Sequence, residues 1–334
     1  MIGRLRVLFV TSMHPTPAYP RGGLIVSRMA EALRALGHEI EFFPLGRDGG
    51  PVRYVQARPH VAATVRAYVP DVVHAHFGYS GLAVPSLGTP VVTSFYGDDL
   101  NGTWTAGGGT TTKSKMGVLI SQVVALRSVR CIVVSEALRE RLWFASARRK
   151  TVVVRDAVDP ILFRPHARDA ARMRLGIDSN DVLILFPHDV TQATKQVWLA
   201  EAAVAHLRAF EPRARLWVVN GGAPDQMPWY YAAADAMIIT SALEGGPSSA
   251  KEALACGLPV VSVSVGDVQL FDDAPDAMLR ATPTPAVLAE ALQRGLAIGR
   301  QPRRSRLPNS LTLPAAARIV AELYQAVCAG VAGC

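Results

Sequence analysis

Residues 230–266 read YYAAADAMIITSALEGGPSSAKEALACGLPVVSVSVG, and this stretch decides the fold. An alanine-rich helical turn leads into an apolar strand at 236–240, then a Gly-Gly-Pro-Ser-Ser turn, a second helix and a second apolar strand at 259–263. Short apolar strands that alternate with helices are typical of a parallel sheet covered by helices. The stretch therefore predicts a strand–helix–strand unit of an α/β fold.

The turn in this stretch has the chemistry of an anion site. Gly245 and Gly246 let a ligand approach the backbone closely, because neither has a Cβ atom. Pro247 suits the first helical position, where its missing N–H is not needed. The free N–H groups of residues 248–250 would then point out of the helix start, where the dipole favours an anion such as phosphate.

Two carboxylates bracket the turn. Glu244 and Glu252 are separated by seven residues, and Glu252 lies four residues after Ser248, so these two face the same side of the helix. Carboxylates hold hydroxyl groups well, and the helix start suits a phosphate. The combination predicts a site for a nucleotide sugar. A structural unit whose acids are merely solvated is the alternative.

The segment EGGPSSAKEALACGLPVVSVSVGDV (244–268) resembles the donor-binding signature of the retaining glycosyltransferases of family 4, which have the GT-B fold. The resemblance implies an α/β chain with two Rossmann-like, doubly wound parallel-sheet domains that face a cleft. It implies an N-terminal acceptor-side domain at 1–164, a nucleotide-sugar-binding domain at 165–314, and a C-terminal helix at 315–334 that crosses back to the first domain.

Alternating apolar runs and helical patterns along both halves agree with this organisation. Residues 5–11, for example, form a continuous apolar run, and residues 24–36 have one apolar face that ends at Gly37. Segment 155–165 resembles the family's passage between domains. The resemblance covers nearly the whole chain, although only the second half carries sharp motifs.

The resemblance also implies a donor site. The backbone of residues 245–249 would hold the sugar together with Glu244, and Glu252 would hold the ribose hydroxyls. The glycine pair of Arg21-Gly22-Gly23, which opens a helix, would face the diphosphate, although a plain tight loop is the alternative. The implied donor-binding residues are Gly22, Gly23, Asn220, Gly221, Gly245, Gly246, Pro247, Ser248, Ser249 and Glu252.

Lys195 lies just after the apolar run 182–186 and matches the family's lysine that neutralises the diphosphate leaving group. Glu244 and Lys195 are therefore the expected catalytic residues. The family usually adds an arginine a few residues earlier, and positions 188–194 contain none. Either Arg21 or another cation compensates, or donor binding is weak.

The acceptor side is less sharply marked. Tyr96 replaces the histidine that commonly lies near the transferred sugar in a His-Gly-x-Asp stretch, and a tyrosine can still donate a hydrogen bond. We expect His76, Tyr96 and Asp99 on the acceptor side. Asp98 with Asp99 could instead hold a metal, as in the GT-A fold, but the doubly wound pattern argues against that, and no metal site is expected.

Composition sets the remaining limits. The chain has 334 residues, of which 50% are hydrophobic and 19% charged, so we expect two globular domains. No apolar run is long enough to span a membrane, the N-terminus reads as a first strand, and the four scattered cysteines suit a reducing cytoplasm. These features predict a cytoplasmic protein, peripheral at most at the inner face of a bacterial cell membrane.

The formal net charge is +8, and 30 of the 35 basic residues are arginine, since lysine occurs only five times. A GC-rich genome would account for this equally well. The functional interpretation is that the positive charge attracts a nucleotide diphosphate or an anionic membrane. The helix near 114–129 and the basic cluster 148–150 would contact the membrane. Nucleic acid is not expected, because no binding motif is present.

The resemblance thus implies a retaining, metal-independent glycosyltransferase without a cofactor. Its donor would be a UDP- or GDP-linked sugar, and its acceptor a glycan, a lipid-linked glycan or a small molecule. Two alternatives stay open. One is another GT-B activity, such as a nucleotide-sugar epimerase or a phosphorylase. The other is a non-catalytic relative that binds a sugar nucleotide or a partner.

Overall fold

A computed structural model describes residues 3–14, 22–46, 50–103, 111–177, 180–220, 222–244, 246–271, 276 and 278–332. Arg21, Gly221 and Gly245, which the sequence analysis names, lie outside these residues. Contacts divide the chain into two compact units: unit 1 contains Met1–Asp156 and Leu313–Cys334, and unit 2 contains Ala157–Thr312. The domain limits at 164 and 314 stay predictions.

Unit 1 is built on a six-stranded parallel sheet with the order β2-β1-β3-β4-β5-β6. Its strands are β1 (Arg6–Thr11), β2 (Glu39–Pro44), β3 (Val72–His76), β4 (Val91–Phe95), β5 (Arg130–Val133) and β6 (Thr151–Val153). Its helices before the unit boundary are α1 (Leu24–Ala35), α2 (Val52–Gln56), α3 (Arg58–Tyr68), α4 (Gly78–Leu82), α5 (Asp98–Asn101), α6 (Thr112–Arg127), α7 (Glu136–Glu140) and α8 (Ala145–Arg149).

Unit 2 has a five-stranded parallel sheet with the order β11-β10-β9-β7-β8. Its strands are β7 (Val182–Phe186), β8 (Ala214–Val218), β9 (Ala236–Ile239), β10 (Val260–Ser262) and β11 (Met278–Arg280). Its helices are α9 (Arg168–Leu175), α10 (Val197–Leu207), α11 (Met227–Ala233), α12 (Ser248–Ala255) and α13 (Pro285–Gly299).

The chain then returns to unit 1 through α14 (Leu313–Ala332), which packs on α1. Tyr324 on α14 is fully buried, and its hydroxyl group forms a short hydrogen bond with His74 Nδ1 in β3. Within the described part of the chain, no helix combines the length and the apolar character that crossing a bilayer requires.

The two sheets share one strand order, which confirms the predicted pair of doubly wound parallel sheets. In each, the second strand lies on one side of the first and the third strand lies on the other side. The strand order therefore reverses between β1 and β3 in unit 1, and between β7 and β9 in unit 2. Open parallel sheets bind ligands at the carboxyl ends of the strands where this reversal occurs.

The core of unit 2 explains why its central strands are apolar throughout. β7, β9 and β10 are buried along their whole length, because helices cover both faces of the sheet. α13 packs on β9, β10 and β11, and its helical glycine Gly295 lies against Leu279 and Val261. The sequence analysis did not predict α13 or β11.

Candidate functional site

The strand reversal in unit 2 brings two sequence-distant loops together. The loop after β7 ends in a 3-10 turn at Ala193–Lys195, and the loop after neighbouring β9 contains Glu244. The hydroxyl group of Thr240 donates to the carbonyl oxygens of Lys195 (2.9 Å) and Gln196 (3.0 Å). The N–H of Ala242 donates to the carbonyl oxygen of Thr194 (2.8 Å). These bonds fix the two loops side by side.

Lys195 and Glu244, the two expected catalytic residues, form an ion pair. Lys195 Nζ lies 2.6 Å from Glu244 Oε1, and the side chains are 16% and 15% exposed. A pair in this setting is screened less by water than a surface pair, so each charge fixes the position of the other. The lysine is thereby held at the carboxyl edge of the sheet.

His188 lies beside this pair and was not singled out from the sequence. Burial, and then the charge of Lys195, lower the pKa of His188 to about 4, although the carboxylate of Glu244 opposes both. The imidazole is therefore neutral at neutral pH, and its buried Nε2 atom has no hydrogen-bond partner among the described residues. His188 is the first ionisable residue after β7, in the segment where the expected arginine is missing.

Backbone strain marks the same loop. Gln196 has φ = 48°, in the left-handed region that residues with a Cβ atom seldom adopt. Such conformations cost about 1–3 kcal/mol and persist where the surroundings impose them. Here the Thr240 hydroxyl holds the carbonyl group of Gln196, and α10 begins at the next residue. The conformation turns the chain so that Lys195 ends the loop beside Glu244.

The start of α12 differs in detail from the prediction. The helix begins at Ser248, so Pro247 precedes it as the N-cap residue instead of occupying the first helical position, because its ψ of 97° is extended. The N–H of Ala250 is also not free, since it donates to the carbonyl oxygen of Pro247 at 3.1 Å. Ser249 retains a buried hydroxyl oxygen without a hydrogen-bond partner.

A buried ion pair packs against this turn. Lys251 Nζ lies 2.7 Å from Asp267 Oδ2, with side-chain exposures of 1% and 5%. A Cβ atom on Gly246 would lie 3.1 Å from both carboxylate oxygens of Asp267, so glycine allows the turn to pack closely against that carboxylate. The pair thus links α12, the glycine turn and the loop after β10.

Glu252, the expected ribose-binding residue, projects from the second turn of α12. Its Oε2 atom accepts a hydrogen bond from the hydroxyl group of Tyr231 in α11 (2.8 Å). Tyr231 is fully buried, so it orients the carboxylate rigidly. At the end of β8, the exposed side chain of Asn220 donates to Asp189 Oδ1 (3.3 Å), which places Asn220 at the same edge of the sheet.

In unit 1 the predicted glycine pair follows β1, the strand beside which the strand order of that sheet reverses. Gly23 has φ = 74° and precedes α1, with Gly22 before it. A Cβ atom on Gly23 would lie 2.0 Å from the carbonyl oxygen of Met13, so no other residue fits there without moving the backbone. The turn is therefore specified sterically, and its predicted contact with a diphosphate stays a proposal.

The expected acceptor-side residues form a buried polar group at the ends of β3 and β4. His76 Nδ1 and the Tyr96 hydroxyl group are hydrogen-bonded at 2.7 Å, and the ring centroids of His74 and His76 lie 4.0 Å apart. Burial lowers the pKa of His74 to about 3 and that of His76 well below its usual value, so both are neutral. His76 thus holds the hydroxyl group of Tyr96 in place, and the hydroxyl group retains capacity for a further hydrogen bond.

Asp99 closes the turn after β4. Its carboxylate accepts hydrogen bonds from the backbone N–H groups of Tyr96, Gly97 and Gly78, yet burial outweighs them and raises its pKa to about 7. Asp99 also lines a cavity of about 320 Å³. The other lining residues are Gly50, Pro51, Arg53, Tyr54, Phe77, Tyr79, Asp98, Thr103, Thr111, Lys113, Ser114 and Gly117.

Across the described ranges, no three His, Cys, Asp or Glu side chains come together as metal ligands would. The expectation of metal-independent activity stays a prediction. The carboxylate of Asp99 is engaged by backbone N–H groups, so it does not resemble a metal-binding acid. Its neighbour Asp98 is exposed.

Two protein-family models match this chain, one after the other along its length. The family described as Glycosyltransferase Family 4 matches residues 6–161, and the family described as Glycosyl transferases group 1 matches residues 200–297. A D-inositol 3-phosphate glycosyltransferase from Frankia alni is 29% identical, with the match covering 86% of this chain and 88% of that protein. One from Catenulispora acidiphila is also 29% identical, over 60% of this chain and 57% of the relative's length.

Solved structures resemble the chain over almost its full length. Sucrose-phosphate synthase from Thermosynechococcus elongatus has a TM-score of 0.72 at 18% identity, covering 99% of this chain and 98% of that one. The catalytic domain of starch synthase IV from Arabidopsis thaliana, solved with ADP and acarbose, has a TM-score of 0.74 at 14% identity, covering 98% and 100%. At these identities the likeness establishes the fold.

Proposed function

Because this chain belongs to the glycosyltransferases of the family 4 type and has the GT-B fold, we propose that it transfers a sugar from a nucleotide-diphosphate sugar to an acceptor with retention of the anomeric configuration. The observation that carries the proposal is the placement of Lys195, Glu244 and the start of α12 together where the strand order of the second sheet reverses. UDP and GDP are the proposed nucleotides.

The diphosphate is bound by charges that the protein itself supplies. As the glycosidic bond breaks, negative charge grows on the diphosphate, and Lys195 together with the α12 dipole stabilises that charge. His188 is neutral, so it offers a hydrogen bond without adding charge. The residues of the donor turn and Glu244 contact the transferred sugar, and Glu252, held by Tyr231, binds the ribose hydroxyl groups. No metal ion is needed in this scheme.

The donor proposal is supported by what the neighbours bind. The starch synthase structure contains ADP, a nucleoside diphosphate of the kind that a sugar-nucleotide donor leaves behind. The acceptor is a separate question, because the inositol phosphate, sucrose-phosphate and starch enzymes named above differ in it. We propose the group around His76, Tyr96 and Asp99 as the acceptor side, with a glycan, a lipid-linked glycan or a small molecule as acceptor.

A thermal-shift screen of UDP, GDP, ADP and their sugars tests the donor assignment. A ligand that binds only the folded state at one hundred times its dissociation constant stabilises the protein by about 2.7 kcal/mol. We expect one nucleotide diphosphate to raise the melting temperature of the wild type. Lys195→Gln should lose most of the shift, whereas Arg215→Gln, which removes an exposed charge from β8, should keep it.

Product analysis then separates the catalytic possibilities. With the best nucleotide sugar and a panel of acceptors, a transferred sugar with its original anomeric configuration supports the proposal. Conversion of the nucleotide sugar into its epimer without an acceptor would support an epimerase instead. Tight binding without turnover would support a non-catalytic relative, which the absence of an arginine at 188–194 keeps open.

A further inference from the structure

We propose that unit 1 carries a docking surface for an anionic lipid bilayer, formed by the outward face of α6 and the adjoining segment 143–149. We call it the lipid face. The proposal is independent of the transferase activity, because it depends on side chains of unit 1 that none of the proposed catalytic or donor-binding roles uses.

The first observation is a row of large apolar side chains exposed on α6. Met116, Leu119, Val123 and Leu126 are 50%, 44%, 46% and 39% exposed. At about 100° per residue, their spacing places all four within an arc of about 80° on the helix surface. The opposite side of α6 is buried through Gly117, Ser121, Val124 and Ala125. The apolar row is therefore a continuous stripe that the fold leaves uncovered.

The second observation is that two exposed aromatic residues adjoin this stripe. Trp143 and Phe144 are 55% and 43% exposed. Gln122 of α6 holds their segment, because its Oε1 atom accepts from the N–H of Trp143 (2.9 Å) and its Nε2 atom donates to the carbonyl oxygen of Arg141 (3.0 Å). The segment that carries the aromatic pair is thus hydrogen-bonded to the helix that carries the stripe, so unit 1 exposes large apolar side chains on both elements.

The third observation is the charge. Residues 111–150 contain nine lysine and arginine residues against two glutamates, so this segment carries +7 of the net charge of +8. Five of the cations are exposed, and three of them lie on α6 itself: Lys113, Lys115 and Arg127 on the helix, with Arg141 and Arg149 in the segment that follows. Lys150 is not among them, because its Nζ atom donates to the carbonyl oxygens of Leu126 (2.7 Å) and Ser128 at the end of α6.

The apolar stripe, the aromatic pair and the positive charge together indicate an anionic bilayer as the partner of the lipid face. Apolar and aromatic side chains that enter the headgroup region, ringed by cations that meet anionic lipid, are the features of interfacial membrane helices. A second copy of the chain would bring the same strongly positive segment against this one, and like charges would oppose that contact. An anionic bilayer offers both the apolar boundary and the complementary charge.

Vesicle co-sedimentation of the full chain tests the proposal. We expect the wild type to bind vesicles of phosphatidylcholine mixed equally with phosphatidylglycerol, to bind poorly to phosphatidylcholine alone, and to be released by salt. Lys115→Gln/Arg127→Gln/Arg149→Gln should lower the partition coefficient roughly a hundredfold, since each cation near such a surface contributes about a fivefold step. Leu119→Gln/Val123→Gln should also lower it.

The matched control is Met173→Gln/Phe210→Gln in unit 2, where both side chains are more exposed, at 81% and 62%. It should bind vesicles as the wild type does, and all variants should keep the wild-type melting temperature, because every substituted side chain is exposed. A wild type that stays in the supernatant with anionic vesicles overturns the proposal. So does normal binding by Leu119→Gln/Val123→Gln, or a loss of self-association in that variant without a loss of vesicle binding.

Discussion

The buried pair Lys251–Asp267 gives the sharpest stability prediction. Its two charges lie 2.7 Å apart with side-chain exposures of 1% and 5%, so removal of either partner leaves the other charge buried and uncompensated. Breaking such a pair typically destabilises a protein by about 3–5 kcal/mol. We therefore expect Asp267→Asn to lower the free energy of unfolding by about that amount. In a domain of this size the melting temperature should fall by roughly 10 °C.

The double variant Lys251→Met/Asp267→Leu separates pairing from packing. It removes both charges and keeps apolar volume, so it should be clearly more stable than Asp267→Asn alone. The matched control is Arg215→Gln/Asp181→Asn, which removes a pair in the same unit with exposures of 65% and 28%. Exposed pairs contribute about 0–1 kcal/mol, so this control should stay close to the wild type.

Urea unfolding followed by circular dichroism measures these free energies, and the single variants Lys251→Met and Asp267→Leu complete a double-mutant cycle with the double variant and the wild type. The reasoning is refuted if Asp267→Asn costs less than about 1 kcal/mol, or if the double variant is no more stable than the single one. Asp267→Asn should in addition weaken nucleotide binding, because the turn at Gly246 rests on that carboxylate.

Three further outcomes are expected. Glu244→Gln should abolish sugar transfer in an activity assay, while calorimetry should show a melting temperature within a few degrees of the wild type. Full activity of this variant would contradict the assignment of Glu244 to the donor site. Transfer should survive excess chelator, and a loss restored by magnesium or manganese would contradict the metal-independent scheme. Burial raises the pKa of Asp99 from 3.8 to about 7, so the folded chain holds a proton that the unfolded chain releases. The stability of the wild type relative to Asp99→Asn should therefore fall as pH rises from about 4 to about 7, and a flat difference in urea titrations would refute the assignment.

Much of the fold could be predicted because its signals are local. Buried parallel strands form apolar runs in the sequence, and the apolar run at 182–186 coincides with β7. The signature around Glu244 is also local, since one turn and one helix carry it. β11 escaped prediction because Met278-Leu279-Arg280 contains no β-branched residue, unlike the equally short β10 with its two valines. α13 was missed although Pro285 begins it in the position that favours proline.

The contacts that support the site could not be predicted, because they join residues far apart in sequence. Lys195 and Glu244 are 49 residues apart, and His74 and Tyr324 are 250 apart. Lys251 reads in the sequence as a solvated helical lysine, whereas the loop after β10 buries it against Asp267. His188 belongs to no recognisable motif, and only its position after β7, beside Lys195, indicates a role in the site.

The central claim is that the edge of the second sheet binds the nucleotide diphosphate of a sugar donor. Hydrogen exchange of the full chain, with and without the nucleotide diphosphate that raises the melting temperature most, tests it directly. Protection should be largest near Lys195 and across residues 246–255, with weaker protection near Gly22. Protection centred on residues 74–76 or 98–99, with residues 246–255 unchanged, would contradict the claim.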